Sequence, residues 1–158
     1  MKVELRLPAE APANEPARPV VVDTNVALDL LIFSDPRTAP LRTLLAQGRL
    51  AWIATQVMRD ELERVLAYPH IVERMDYYRV DAPQVLAAFD AQARLVDIAP
   101  KVACVCKDAD DQKFIDLAAA HRAVLLSKDK AVICMRKRLV NLGADVATEL
   151  LVSEAMCV

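Results

Sequence analysis

Short apolar runs that alternate with helix-like stretches constrain this chain more than any other feature. Val20-Val21-Val22 is an unbroken apolar run that stops at Asp23. Strands buried on both faces of a parallel sheet have that pattern. Residues 25–33 then read as a helix, Ser34-Asp35-Pro36 breaks it, and 38–47 resume helical spacing up to Gly48. Ala51-Trp52-Ile53-Ala54 is a second strand, and Thr55 caps a helix over 56–67. Further helices are expected over 71–77 and 83–93, and Leu95-Val96-Asp97-Ile98 is a weak strand. A helix over 110–121, the strand Val124-Leu125-Leu126 and a helix over 130–138 follow. Val146 falls in a last strand, before a helix over 148–156. This alternation predicts an α/β fold, a three-layer α/β/α sandwich with a mainly parallel central sheet. Residues 1–19 hold Pro8, Pro12, Pro16 and Pro19 and read as an extended Pro-rich tail outside the fold, leaving 20–158 as a single domain.

Composition removes several function classes. The 158 residues suit one domain. Only two glycines, Gly48 and Gly143, are present, so neither a GxxxxGK[ST] phosphate loop nor a GxGxxG fingerprint can be built. Two histidines, His70 and His121, exclude a His-rich zinc site. The four cysteines, Cys104, Cys106, Cys134 and Cys157, form no C-x-x-C pair and read as reduced, packed thiols. A net charge of −2 argues against an extended basic surface but not against a local acidic metal site on a nucleic-acid enzyme. No apolar run approaches the roughly 18 residues of a membrane helix. The charged start Met1-Lys2-Val3-Glu4 does not resemble a signal peptide, so a cytoplasmic location without membrane association is expected.

In parallel sheets of this kind, ligands bind beyond the carboxyl ends of the strands. Asp23 and Asp129 both follow strands, in Val22-Asp23-Thr24-Asn25 and Leu126-Ser127-Lys128-Asp129. Each alone is explained by turn or cap chemistry. Glu61 is less ordinary. Val57, Met58, Leu62, Val65 and Leu66 form one apolar stripe at helical spacing, and Glu61 lies at its edge. Asp111 shares the helix face of Phe114, Ile115 and Ala118; Asp110 borders that face and Asp116 points away. A carboxylate turned toward a core is costly unless it is paired or binds a metal. Four such carboxylates at one sheet edge would repel, and a divalent cation resolves the repulsion. An all-oxygen ligand set suits Mg²⁺ or Mn²⁺.

These segments resemble the PIN-domain family, in the bacterial branch of toxin components of toxin–antitoxin pairs. The resemblance rests on Val20-Val21-Val22-Asp23-Thr24-Asn25-Val26, on Glu61 within Asp60-Glu61-Leu62-Glu63-Arg64-Val65-Leu66, on Asp108-Ala109-Asp110-Asp111-Gln112-Lys113-Phe114 and on Leu125-Leu126-Ser127-Lys128-Asp129. It covers about residues 20–140. It implies an endoribonuclease dependent on one or two Mg²⁺ or Mn²⁺ ions, hydrolysing RNA phosphodiester bonds. Asp23, Glu61 and Asp111 match the family's core acidic ligands and Asp129 its fourth acid. Thr24, Asn25 and Ser127 match polar residues that support the acids, and Asp108 and Asp110 belong to the acid-rich segment. Lys128 stands where the branch commonly has Gly and is a candidate contact for the RNA backbone. An antitoxin protein and a homodimer are the partners the resemblance implies. Two other readings are open from the residues: a PIN-like binding module without catalysis, and a haloacid-dehalogenase-type phosphatase, which would want a second Asp where Asn25 stands.

Overall fold

β2 (Arg18–Val22) is the middle strand of a five-stranded parallel sheet. Its neighbours are β3 (Leu50–Ala54) on one side and β5 (Val124–Leu126) on the other; β4 (Ala93–Leu95) and β6 (Asp145–Ala147) form the edges. Val20 pairs with Trp52 across one seam and with Val124 across the other. A strand so enclosed has no solvent face, which is why its apolar run does not alternate. Val20 and Val21 are fully buried, each burial contributing roughly 1.5–3 kcal/mol before entropic costs. The computed structural model describes residues 2–9 and 15–153.

Helices link and flank these strands, as the alternation predicts. After β2 come α1 (Thr24–Leu31), a 3-10 turn (Pro36–Thr38) and α2 (Ala39–Ala46), which Gly48 closes at φ +70°. After β3 come α3 (Gln56–Val65), α4 (Pro69–Tyr77) and α5 (Ala82–Gln92). Thr55 caps α3, its hydroxyl accepting from the Met58 amide. Asp81 and Gln84 form a reciprocal capping box at the start of α5, both bonds 2.9 Å. A second 3-10 turn (Ala109–Asp111) leads into α6 (Gln112–His121), and α7 (Lys130–Ile133) and α8 (Arg136–Val140) follow β5. Among the described residues, no helix is long and apolar enough to cross a membrane.

The strand order β4-β3-β2-β5-β6 sets the position of the site. The chain builds outward from β2 through β3 to β4, then returns to the other side of β2 to add β5 and β6. The direction of winding reverses between β2 and β5. At such a reversal the two connections leave in opposite directions and open a crevice at the strands' carboxyl ends. Asp23 follows β2 at that crevice, and Ser127-Lys128-Asp129 follows β5.

The ends of the chain depart from the sequence expectation. Residues 1–19 are not all outside the fold: β1 (Glu4–Leu7) pairs in parallel with β7 (Glu149–Val152) as a separate two-stranded sheet. The Thr148 hydroxyl locks this pairing, accepting from the Val3 amide and donating to the Val3 carbonyl, both at 2.8 Å. Glu4-Leu5-Arg6-Leu7 alternates with period two, and Leu5 and Leu7 pack on the core. The expected helix over 148–156 is strand over 149–152; a short apolar run cannot be assigned by periodicity, and here pairing with β1 decides it. Residues 154–158 and 10–14 lie outside the described residues. The helix expected over 130–138 is two short helices with Cys134 and Met135 between them, and β4 begins at Ala93 rather than Leu95.

Candidate metal centre

Asp23 sits between the last residue of β2 and the first of α1, and is only 5% exposed. The ladder fixes its backbone, since the Asp23 amide donates to the Leu126 carbonyl at 2.9 Å. Register therefore places Ser127 beside it. The Ser127 hydroxyl, fully buried, donates to Asp23 Oδ2 at 2.6 Å and accepts from the Asp129 amide at 3.1 Å. One hydroxyl thus orients the first acid and the loop that carries the last. Burial raises the Asp23 pKa above the usual carboxylate range. The Ser127 hydroxyl and the Thr24 amide oppose that shift, and the charges of Asp129 and Glu61 add to it.

Asp108, Asp111 and Asp129 converge on the same place from two other elements. One carboxylate oxygen from each lies within 4.8 Å of the others. Asp108 opens the 3-10 turn and accepts from the Asp110 amide at 3.0 Å, so its position follows from capping. Asp129 caps α7 in the same way, accepting from the Ala131 amide at 2.9 Å. Asp111 ends the 3-10 turn, is 8% exposed, and its Oδ2 is buried with no hydrogen-bond partner among the described residues. Its pKa is pushed up to about 8, first by burial, then by the Asp129 carboxyl and by the charges of Asp23, Asp129 and Asp108. Like charges this close repel by roughly 3 kcal/mol or more per pair at an effective dielectric near 20. The arrangement needs either a proton or a cation between the carboxylates.

Glu61 approaches from α3. Its side chain is 23% exposed, while Oε2 is closed off from solvent and lies 3.0 Å from Lys113 Nζ. The contact is an ion pair without good hydrogen-bond geometry. Glu61 is near enough to Asp23 to raise its pKa. The stripe-edge position on α3 thus turns the carboxylate toward the strand ends and not into the apolar core.

Other residues singled out in the sequence fall in different places. Asp110 is exposed, unlike its buried neighbour Asp111. Asn25 is exposed, and the side-chain hydrogen bond that orients Asp23 comes from Ser127. Thr24 contributes through its amide. Lys128 carries its ammonium away from the acids to Asp29 Oδ2 on α1, at 2.5 Å.

Sequence reasoning missed two participants, Lys113 and Gln112, and gave a third, Asp108, only a supporting part. Asp108, read as part of an acid-rich segment, is a full member of the tightest carboxylate group. Lys113, unremarked beside Asp111, reaches Glu61 and the Asp110 carbonyl. Gln112 is 8% exposed and stitches α6 to the preceding segment. Its Oε1 accepts from the Cys106 amide at 2.7 Å, and its Nε2 donates to the Cys104 carbonyl and to Asp116 Oδ1, both at 2.9 Å. Asp116 in turn accepts from the Val102 amide at 3.0 Å. A glutamine and an aspartate one helical turn apart, on the face opposite Phe114, are the signal that could have revealed this brace.

The donor set fits a hard divalent cation. It is all carboxylate, it comes from separate elements on a rigid scaffold, and it includes a buried oxygen with no partner among the described residues. Asp108, Asp111 and Asp129 are grouped closely enough to hold such an ion, and Asp23 and Glu61 lie near enough for their charges to be felt there.

Comparison with known proteins agrees with the fold. A chain from the crystal structure of VapBC2 from Rickettsia felis bound to a DNA fragment from their promoter superposes with a TM-score of 0.55. The two are 14% identical, and the match covers 82% of this chain and 98% of that one, a likeness of fold. No curated protein matches the sequence. The PIN-domain family model matches residues 19–131, from the second residue of β2 into α7. That span is well over half of the chain and includes all five clustered carboxylates, and the chain belongs to the PIN-domain family.

Proposed function

We propose that this protein is a divalent-metal-dependent endoribonuclease, the toxin component of a toxin–antitoxin pair. The observation that carries the reading is the carboxylate group at the β2/β5 reversal: Asp108, Asp111 and Asp129 within 4.8 Å, beside buried Asp23. Mg²⁺ or Mn²⁺, one or two ions, is the cofactor this donor set favours. When bound, such an ion lowers the pKa of a water and offsets charge on a phosphate.

The chain's own residues have separable roles. Asp23 is the anchor, held at one oxygen by Ser127 and fixed through the sheet ladder. Asp111 supplies the buried free oxygen, and Asp108 and Asp129 close the group from two helix caps. Glu61 completes it from α3. The helices and strands hold these groups before substrate arrives, so little reorganisation is needed on binding.

A cation at Lys128 beside the acids would favour a module that binds without cleaving. Its ammonium is paired with Asp29 instead, which leaves that alternative without a specific observation in its favour. PIN domains as a class support nuclease chemistry, and the name of the VapBC2 neighbour supports an antitoxin as partner. A homodimer and a cytoplasmic location belong to the same proposal.

The test is cleavage of a mixed structured RNA by the purified protein with Mg²⁺, with Mn²⁺ and with EDTA. An Asp23→Asn protein run alongside controls for contaminating ribonuclease. Cleavage that requires metal and disappears in Asp23→Asn is the expected result. Cleavage at the wild-type rate by Asp23→Asn would remove the proposal.

A further inference from the structure

Asp108, Asp111 and Asp129 meet at the strand ends with Asp23 and Glu61 nearby, and among the described residues one cation lies within ion-pair distance of any of the five. That cation is Lys113, 3.0 Å from Glu61. The other ion pairs among the described residues all lie elsewhere. The side chains of Lys113 and Glu61 are each 23% exposed, so the pair stands at the rim of the cluster, between its buried floor and water. Lys113 Nζ is also held by the Asp110 carbonyl and lies 4.9 Å from the Phe114 ring centroid. These contacts restrain a side chain that is otherwise rich in rotamers.

A nucleic-acid backbone approaching this cluster brings an anion to a site dominated by acids. A divalent ion offsets part of that field. Among the described residues, the cation paired with one of these acids at the rim is Lys113, on the first turn of α6. Lys128, the lysine that the sequence offers for this task, pairs with Asp29 and with none of the five carboxylates. We propose that Lys113 is a substrate-contacting residue of this site, its ammonium binding a phosphate of the RNA backbone next to the carboxylate group. The inference rests on the metal-dependent nuclease reading. The competing role is structural, with Lys113 serving only to hold Glu61 in place.

Binding and metal affinity separate the two roles. Binding of a short labelled single-stranded RNA is measured by fluorescence anisotropy against salt, with Ca²⁺ present and RNA integrity checked on gels. Mn²⁺ affinity is measured by calorimetry without RNA. Lys113→Met is expected to weaken RNA binding about tenfold and to reduce the slope of log K against log salt by about 0.7, one phosphate contact on a single strand. Mn²⁺ affinity is expected to hold or tighten, because Glu61 loses a competing cation. Lys113→Arg restores the slope. Thermal melts check the fold, and Lys113→Gln serves if Lys113→Met is poorly folded. An unchanged salt slope in variants that still bind Mn²⁺, or lower Mn²⁺ affinity with RNA binding intact, overturns the inference and leaves the nuclease reading standing. A wild-type protein that binds neither Mn²⁺ nor RNA overturns both.

Discussion

Ser127 and Asp23 are 104 positions apart in the chain and 2.6 Å apart at the site. Their meeting is a consequence of register: Val22 pairs with Leu126, so the residues after each strand emerge side by side. The bond also favours the charged form of Asp23 against the burial that disfavours it. Ser127→Ala leaves a buried carboxylate oxygen without its donor. A stability loss of about 1–3 kcal/mol is expected from urea unfolding. Mn²⁺ affinity is expected to fall on the order of 10–100-fold, as for other residues that orient metal ligands. Unaltered metal affinity would mean that the ladder alone positions Asp23.

Gln112 predicts a second loss at a distance from the acids. Its three hydrogen bonds fix the segment ending at Cys106, two residues before Asp108. Gln112→Leu keeps the volume near and removes every bond. It frees the Cys106 amide and the Cys104 carbonyl, and stability is expected to drop by roughly 1–3 kcal/mol. Hydrogen exchange at the Cys106 amide should accelerate, and Mn²⁺ affinity should weaken because Asp108 loses its fixed approach. A variant with protected Cys106 and wild-type affinity would contradict the role assigned to Gln112.

The raised pKa of Asp111 has a signed consequence for stability. In the unfolded chain this carboxyl ionises near the ordinary 3.8, and in the folded protein it holds its proton up to about 8. Across that window the native state binds more protons than the unfolded state, so metal-free stability falls as pH rises. The contribution is fully present below about pH 4 and is lost as pH passes through about 8. Asp23, raised in the same direction, adds to the slope. Melting of the EDTA-treated protein between these limits checks this, with Asp111→Asn as the reference that lacks the titrating group. The wild-type curve should fall more steeply than the Asp111→Asn curve, and Mn²⁺ should recover stability most at the alkaline end. Parallel curves would contradict the coupling.

The sequence was most informative where chemistry and periodicity disagreed. Asp111 on an apolar helix face was legible as a misplaced charge and Asp23 as an acid at a strand end, and the structure buries both. The parallel sheet was legible because β2 and β5 are enclosed on both faces and carry no alternation. β1 was not, because prolines dominate the surrounding composition and its partner β7 lies at the other end of the chain. Asp108 was read only as part of the acid-rich segment; that it joins the carboxylate group depends on the 3-10 turn it caps, which a helical reading over 110–121 does not contain. The direction of Lys128 was hidden for a similar reason. Its partner Asp29 is on α1, which only the β2/β5 pairing brings near.

Mn²⁺ titration by calorimetry of the EDTA-stripped and dialysed protein tests the metal centre most directly, because it needs no knowledge of the RNA. The wild-type protein is expected to bind one or two ions and to release protons on doing so, since Asp111 gives up the proton it holds near neutral pH. Asp111→Asn should bind at least tenfold more weakly, with less proton release. Absence of Mn²⁺ binding by a folded wild-type protein would contradict the account, and would reduce the five carboxylates to caps and surface acids.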